Sequence, residues 1–294
     1  MLPSWRELQV SSQPFMKRRT IAILPMLIAL VVIGFRYCTA EKVTNPLTGK
    51  TARVGLSSDQ EETLGLQTYR EVLSQADVVT SGREHDLVVG VASRLAPATG
   101  PEAKDFRWQV SLVRSREPNA FCLPGGKIVV YTGILPLTKT EAALAAVMGH
   151  EMAHAVARHG SQRLLRTSLA QTFLVGANLS MGDLDPGQRQ ALMAALGAGA
   201  QYGVLLPFSR QHETEADQLG LLYMARAGYD PREAIPFWER MSQAGGSQPP
   251  VYMSTHPSHE RRIQDLQDFM PKALAEYEKA KDRPGGARGT SNLP

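Results

Sequence analysis

The chain has 294 residues, of which 43% are hydrophobic, and its formal net charge at pH 7 is only +4. That length and composition suffice to bury one hydrophobic core, and no internal repeat divides the sequence. The small charge, without a Lys/Arg run interleaved with aromatic residues, argues against a nucleic-acid-binding protein. Cys122 is the only cysteine in the presumed folded domain, so no disulfide within that domain is expected.

The amino terminus resembles a secretory signal. Basic residues at 17–19 precede an uncharged apolar run at 21–35 and small residues that end at Ala40. This order predicts cleavage after Ala40 or an uncleaved signal anchor. Because the basic residues would stay cytoplasmic, we expect the rest of the chain to be exported, either periplasmic or anchored to the membrane. Lipidation of Cys38 is not favoured, since the residues before it are not small.

Helices and then strands follow Ala40. Residues 57–75 predict a helix in which Ser58 and Glu61 have the spacing of a capping box, and EHDLVVGVASRLA predicts a second helix. RWQVSLVRS predicts a strand, and the segment 119–123 predicts another that turns at Pro-Gly-Gly into KIVVYTG.

Residues 150–154 read HEMAH. Two residues four apart lie on one face of an α-helix, so His150 and His154 can reach the same metal ion while Glu151 is angled toward a water on that metal. The flanking residues predict a helix over roughly 139–159, capped by Thr138 with Glu141 and ended by Gly160. The pattern therefore indicates a catalytic metal site that needs a further ligand.

His159 lies near this motif but faces away from it. At about 100° per residue it points roughly 180° from His150 and about 140° from His154. We interpret His159 as a surface histidine or as one that supports a ligand. The longer metzincin motif is excluded, because its glycine and third histidine positions hold Ala157 and Gly160.

Two apolar segments rich in small residues follow, at 161–180 and 186–207, separated by the turn-like MGDLDPG. They predict a helical hairpin. Because glycines and polar residues interrupt both segments, we expect a packed hairpin or lid and not membrane spans.

Residues 208–228 predict the helix that supplies the next ligand. Glu213 and Glu215 are about 200° apart on it, so both cannot face the metal. Asp217 lies four residues after Glu213 on the same face, where it could accept a hydrogen bond from the outer nitrogen of a ligating histidine. Glu213 is therefore the predicted third ligand. Three protein ligands leave the fourth tetrahedral position for water, which is typical of catalytic zinc.

HEMAHAVARHG followed by SRQHETEAD resembles the gluzincin metalloendopeptidases of the HtpX and CAAX prenyl protease family, above all its small exported or membrane-anchored bacterial members. NAFCLPGGKIVVYTGIL and STHPSHERRI resemble further segments of that family in the same order, so the resemblance covers roughly residues 45–275. It implies a zincin-like fold, α+β and mainly α, one Zn²⁺ per chain, and proteolysis at or near membranes, often in protein quality control.

The resemblance also places His256 and Arg262 at the border of the active site. His256 could stabilise the oxyanion or reach the metal when substrate is absent, and Arg262 could clamp Asp217 or Glu213. An exposed edge at 119–123 could pair with an extended peptide, which makes Asn119, Ala120 and Phe121 candidate substrate-binding residues. An ordinary core hairpin is the alternative for that segment.

The sequence thus predicts a zinc metallopeptidase domain at 41–282, between a signal or anchor at 1–40 and a disordered tail at 283–294. Glu151 is the predicted general base and acid in the hydrolysis of peptide bonds, with misfolded or damaged envelope proteins as substrates. Membrane association is expected through the amino-terminal segment. The alternative function is an envelope chaperone or assembly factor that retains the fold and turns over little substrate.

Overall fold

A computed structural model of the chain describes residues 22–45, 47–244, 252–253, 256 and 261–282. The predicted tail at 283–294 and the basic residues at 17–19 lie outside the described residues. The helices are α1 (Ile23–Thr39), α2 (Ser58–Ser74), α3 (Arg83–Ala98), α4 (Leu135–Thr138), α5 (Glu141–Val156), α6 (His159–Ser180), α7 (Pro186–Ala200), α8 (Leu206–Arg226), α9 (Ala234–Gln243) and α10 (Arg262–Lys281). The strands are β1 (Glu41–Thr44), β2 (Thr51–Val54), β3 (Val78–Val79), β4 (Gln109–Val113), β5 (Ala120–Leu123) and β6 (Lys127–Tyr131).

A four-stranded sheet lies beside the helices, with strand order β3-β4-β6-β5. β4 and β6 run parallel, and β3 and β5 each pair antiparallel with a neighbour. The predicted hairpin between β5 and β6 is confirmed, and its turn uses Gly125 and Gly126 at φ 75° and 84°. β5 is an edge strand among the described residues, and it packs on α5. The fold is the mainly helical α+β architecture that the sequence predicts.

α5 is the centre of the hydrophobic core. Every residue from Ala142 to Ala153 is buried. A helix that is apolar on all sides must be surrounded, and α5 packs against α8, α3, α9 and β5. Because alanine and glycine fill much of α5, these neighbours approach it closely.

α5 and α8 approach most closely at two glycines. A Cβ atom added to Gly220 on α8 would lie 2.9 Å from the backbone nitrogen of His150, and one added to Gly149 would lie 3.1 Å from the carbonyl oxygen of Gly220. No larger residue fits at Gly220 without a backbone shift. The crossing brings the HEMAH motif next to the acidic residues of α8.

The ends of α5 differ from the prediction. Its N-cap is Thr140, whose side chain accepts a hydrogen bond from the Ala143 N–H, and not Thr138. At the other end Arg158 adopts the left-handed conformation at φ 57°, whereas Gly160 lies inside α6. Glycine is the usual residue for this conformation, but tertiary contacts of the arginine override that preference here.

Those contacts come from the start of α2. Arg158 donates hydrogen bonds to Glu61 Oε2 at 2.6 Å and to the Leu56 carbonyl at 2.6 Å. Glu61 is available for this pair because the capping box of α2 is formed by Ser57 with Gln60, one residue before the predicted pair.

α1, α6 and α7 form a layer of helices at one side of the molecule, which we call the apolar layer. The backbone N–H groups of Ala22 and Met26 donate to Ser180 at 2.9 and 3.1 Å, so the start of α1 lies beside the end of α6. The predicted hairpin of α6 and α7 is present, with Asp185 capping α7. A π-helical turn, Gln201–Leu205, joins α7 to α8.

We expect Gly220→Ala to destabilise the fold by about 1–3 kcal/mol, because the new methyl group forces α5 and α8 apart. Chemical denaturation measures this loss. The matched control is Gly90→Ala in α3, where an added Cβ meets nothing within 4 Å. That variant should gain about 0.5–1 kcal/mol from its lower unfolded-state entropy. Equal effects of the two substitutions would contradict the close crossing.

Candidate metal centre

Four side chains with ligand-type atoms meet where α5 crosses α8. One such atom from each of His150, His154, Glu213 and His256 lies within 4.8 Å of all the others. The three residues predicted as ligands are therefore brought together. His256, placed near the site by family resemblance alone, joins them from a separate segment.

Four of the six separations between these atoms are close to the edge length of a tetrahedral zinc site. His150 Nε2 lies 3.1 Å from His154 Nε2 and 3.3 Å from Glu213 Oε2. His256 Nδ1 lies 3.4 Å from His150 Nε2 and 3.4 Å from Glu213 Oε2. Nitrogen and oxygen ligands at about 2.0–2.1 Å from a tetrahedral Zn²⁺ are roughly 3.3–3.4 Å apart. Donor types and spacing both fit zinc.

Glu213 carries a charge that its surroundings do not satisfy. Its side chain is fully buried, and within the described residues neither carboxylate oxygen accepts a hydrogen bond. Burial favours the neutral acid, but the facing His150 and His256 rings hold the pKa of Glu213 well below its usual value. A buried carboxylate without donors is costly unless a cation neutralises it. A metal ion at this centre meets that need.

Asp217 and Arg262 support His150 as predicted. Asp217 Oδ1 lies 2.9 Å from His150 Nδ1, which leaves Nε2 free to face the centre. Arg262 donates to the same oxygen at 2.6 Å, and its guanidinium lies over the Trp238 ring at 3.4 Å. Burial lowers the pKa of His150, but the hydrogen bond to Asp217 and the facing Glu213 carboxylate outweigh this and raise it to about 9. The carboxylate thus makes the imidazole a stronger donor to a metal.

His154 has its own support, from His159. His159 Nδ1 lies 2.9 Å from His154 Nδ1, and His159 Nε2 lies 3.5 Å from Glu215 Oε2. Glu215 also accepts a hydrogen bond from Thr48 at 2.7 Å. Burial, and next the neighbouring His150, keep the pKa of His154 well below its usual value, so its ring is in the neutral form that binds metals.

His159 is thus a supporting residue and not a ligand, in agreement with its predicted direction. The other interpretation, a surface histidine, is wrong, since His159 is 2% exposed. Its ring stacks on His212 at 4.0 Å. Glu215 points about 200° away from Glu213 on α8, which excludes it as a ligand. The same angle directs it toward His159, so helical geometry contained the information needed to predict this pair.

Glu151 is covered in this structure. Tyr252 donates a hydrogen bond to Glu151 Oε1 at 2.5 Å, and His256 Nε2 lies 3.6 Å from Glu151 Oε2. The Tyr252 and His256 rings stack at 4.7 Å. Burial and the nearby Glu151 carboxylate raise the pKa of Tyr252, so it remains a hydroxyl donor. Tyr252 was missed because a single tyrosine outside any recognised motif carries no signal in the sequence.

The predicted substrate-binding residues lie at the edge strand. The Tyr131 N–H donates to the Asn119 carbonyl, so the alternating antiparallel pattern turns the backbone groups of Ala120 and Cys122 away from β6. The expected exposed edge is not exposed at Ala120, which is 1% exposed because β5 packs on α5. The Phe121 side chain lies on the face of the sheet opposite to that of Ala120 and Cys122, where it packs edge-on against Tyr131. The edge lies beside α5, which carries Glu151.

An HExxH pair on one buried helix, a glutamate on the helix that crosses it and an adjacent edge strand together define a zincin-like metallopeptidase. The sequence profile of Peptidase family M48 matches residues 84–270. The chain belongs to this family and is a metalloendopeptidase.

Relatives of the chain carry the same class of activity in their names. Mitochondrial metalloendopeptidase OMA1 of Schizosaccharomyces pombe is 35% identical over 257 residues, which cover 85% of this chain and 73% of that protein. The protein of the same name from Saccharomyces cerevisiae is 30% identical over 84% of this chain and 73% of its own length. The Beta-barrel assembly-enhancing protease of Escherichia coli is 27% identical over 76% of this chain and 47% of its own length.

These relatives overturn the predicted location. Proteins 30% to 40% identical to the chain are named mitochondrial in two yeasts and in Arabidopsis thaliana, so the prediction of a periplasmic or exported enzyme is wrong. The bacterial assembly-enhancing proteases are 27% to 29% identical. The physical reason is that basic residues, an apolar run and small residues describe a helix that enters a membrane, but do not specify which membrane.

We expect Asp217→Asn to lower zinc affinity roughly 10–100-fold, because an amide cannot fix the His150 tautomer or neutralise buried Arg262. Competition with a chromogenic chelator measures the affinity. Asp105→Asn, at an exposed turn, is the matched control and should bind zinc like the parent. Unchanged affinity in Asp217→Asn would show that His150 does not depend on this carboxylate.

Proposed function

We propose that the chain is a zinc-dependent endopeptidase in which His150, His154 and Glu213 hold Zn²⁺. The observation that carries this proposal is the tetrahedral spacing of nitrogen and oxygen atoms around a buried carboxylate that lacks hydrogen-bond donors. Zinc, when bound, supplies a Lewis acid that polarises the peptide carbonyl and activates water. No described feature favours a chaperone that has lost turnover, since Glu151 and the ligand set are all present.

Glu151 is the proposed general base and acid. It follows His150 on α5 and lies on the side of the centre that Tyr252 and His256 cover. There it can accept a proton from the attacking water and pass it to the leaving amine. The hydrogen bond from Tyr252 occupies Oε1, so Oε2 is the oxygen that can accept a proton from the water.

The conformation described here is closed, in our proposal. His256 lies where it would complete a set of four ligands with His150, His154 and Glu213. Glu151 is 2% exposed, so a substrate peptide bond cannot reach it in this conformation. Of the two predicted roles of His256, this geometry supports the one in which it reaches the metal when substrate is absent. Tyr252 and His256 must move together, because their rings are stacked.

We propose that the substrates are proteins or peptides that present an extended segment. The backbone groups of Ala120 and Cys122 point away from β6, beside α5. Because Ala120 is 1% exposed in this conformation, antiparallel pairing with a substrate requires the cover of this edge to move. Such pairing reads the main chain and tolerates many sequences, which suits misfolded or damaged proteins. α1 exposes large apolar side chains and would hold the enzyme at a membrane, close to such substrates.

Glu151→Gln should abolish casein cleavage and leave the zinc content near one per chain, because the substitution removes the base and keeps the ligands. Glu213→Ala should lose both activity and zinc. Elemental analysis and a fluorescent casein assay are run in parallel on the purified chain. Glu239→Gln, an exposed position on α9, is the control and should retain both properties. Cleavage that survives Glu151→Gln would show that another residue is the base.

His256→Ala should raise the cleavage rate while zinc remains bound by the other three ligands, because the fourth position is then open. The measurement is casein turnover per zinc ion in the variant and in the parent chain. A lower rate at equal zinc content would contradict the closed-site role and assign His256 to stabilisation of the oxyanion.

A further inference from the structure

The exposed apolar surface of the protein is confined to one place. Among the described residues, every exposed large hydrophobic side chain except Leu64 lies on the apolar layer or on the π-helical turn next to it. Val31 on α1, Val175 on α6 and Tyr202 in the turn are 71%, 58% and 71% exposed. Soluble proteins rarely expose a contiguous apolar surface of this kind, and such a surface marks a docking site for a protein or a membrane.

The helices of this layer have long uncharged stretches. Residues 21–35, 167–182 and 190–209 contain no Asp, Glu, Lys or Arg. At 1.5 Å per residue the helical parts of these stretches, 23–35, 167–180 and 190–209, are about 20, 21 and 30 Å long, so the third equals the roughly 30 Å hydrocarbon core of a bilayer and the other two reach about two thirds of the way across it. The continuous helical run Pro186–Arg226 contains an 18-residue window with mean hydropathy 1.4, none of it buried.

These stretches lie side by side at the same level. Arg189 donates to Asn178 at 2.8 Å, and Arg163 contacts Ser209 at 3.5 Å, so α7 and the start of α8 run antiparallel to α6. Ala29 of α1 contacts Gly176 of α6, where an added Cβ would lie 2.4 Å away. The three uncharged stretches therefore combine into one apolar slab.

Charged residues bound this slab at both ends. Asp183 and Asp185 lie at the tip of the hairpin. At the opposite end, where the slab meets the peptidase domain, basic residues predominate, and several of them line a cavity of about 970 Å³ between the helices. These basic residues are Arg36, Lys42, Lys50, Arg53, Arg163, Arg166 and Arg210.

We propose that the α6–α7 hairpin inserts into the hydrocarbon core of a lipid bilayer beside α1, so that three helices and not one hold the peptidase at the membrane. The basic residues then lie at the level of the lipid phosphates, where their charge complements anionic headgroups and their long stems reach the interface. The sequence-based expectation of a packed lid rested on the glycines that interrupt these segments. One of them, Gly176, lies against Ala29 of α1, the kind of close approach that small residues allow between membrane helices.

Depth-dependent quenching tests this proposal on the full chain. Single cysteines at Val31, Val175, Leu192 and Leu64 are labelled with an NBD fluorophore in a Cys38→Ser, Cys122→Ala background. The labelled chains are reconstituted in phosphatidylcholine and phosphatidylglycerol vesicles. The labels at Val175 and Leu192 should lose most of their fluorescence to lipid with a nitroxide on its acyl chain, and should resist iodide in water. Leu64 on α2, also exposed and apolar, is the control and should show the reverse.

Three outcomes would overturn the proposal. Iodide quenching at Val175 and Leu192 would place the hairpin in water, and protection from both quenchers would place it against protein. Nitroxide quenching at Val31 alone would leave α1 as the sole inserted helix. Leu179 provides a second label on the same face as Val175 if that variant reconstitutes poorly, and a zinc content equal to the parent shows that the domain is folded. The readout does not depend on proteolysis, so a chain that fails to cleave casein still tests insertion.

Discussion

Four carboxylates are buried within a few ångströms of the α5–α8 crossing, and the surrounding structure compensates each of them differently. Asp217 is neutralised by Arg262 and bonded to His150, and Glu215 is paired with Lys50, Thr48 and His159. Glu151 accepts a hydrogen bond from Tyr252. Within the described residues Glu213 faces three imidazole rings and accepts a hydrogen bond from none of them. It is the one of these four carboxylates that lies among ligand-type nitrogens without a hydrogen-bond donor, which is the environment that a divalent cation would complete.

Much of the centre follows from the sequence because helical periodicity fixes direction before any tertiary contact forms. The four-residue spacings of His150 with His154 and of Glu213 with Asp217 placed both pairs correctly on their helix faces. The features that the sequence did not predict depend on contacts between residues that are far apart in the chain. Arg158 replaces the expected Gly160 at the end of α5 because Glu61, 97 residues earlier in the chain, holds it. Tyr252 covers the base from 101 residues away, and no local pattern marks it.

For the apolar layer, too, the sequence predicted the local elements but not their tertiary surroundings. Hydropathy identified the apolar segments and their hairpin, but the choice between a lid and an inserted pair of helices depends on what covers their outer faces. Within the described residues nothing covers them. The wrong prediction of location has the same origin, since charge and hydropathy describe entry into a membrane and not its identity.

The junction of α5 and α6 consists of Ala157 and Arg158 alone. Beyond it, α6 begins at His159, the residue that bonds to His154, and extends to the outer end of the apolar layer. One continuous helix, α6, therefore connects the ligand His154, through His159, to the apolar layer. In the membrane-inserted state proposed above, a tilt of the far end of α6 would move the His159 ring against His154.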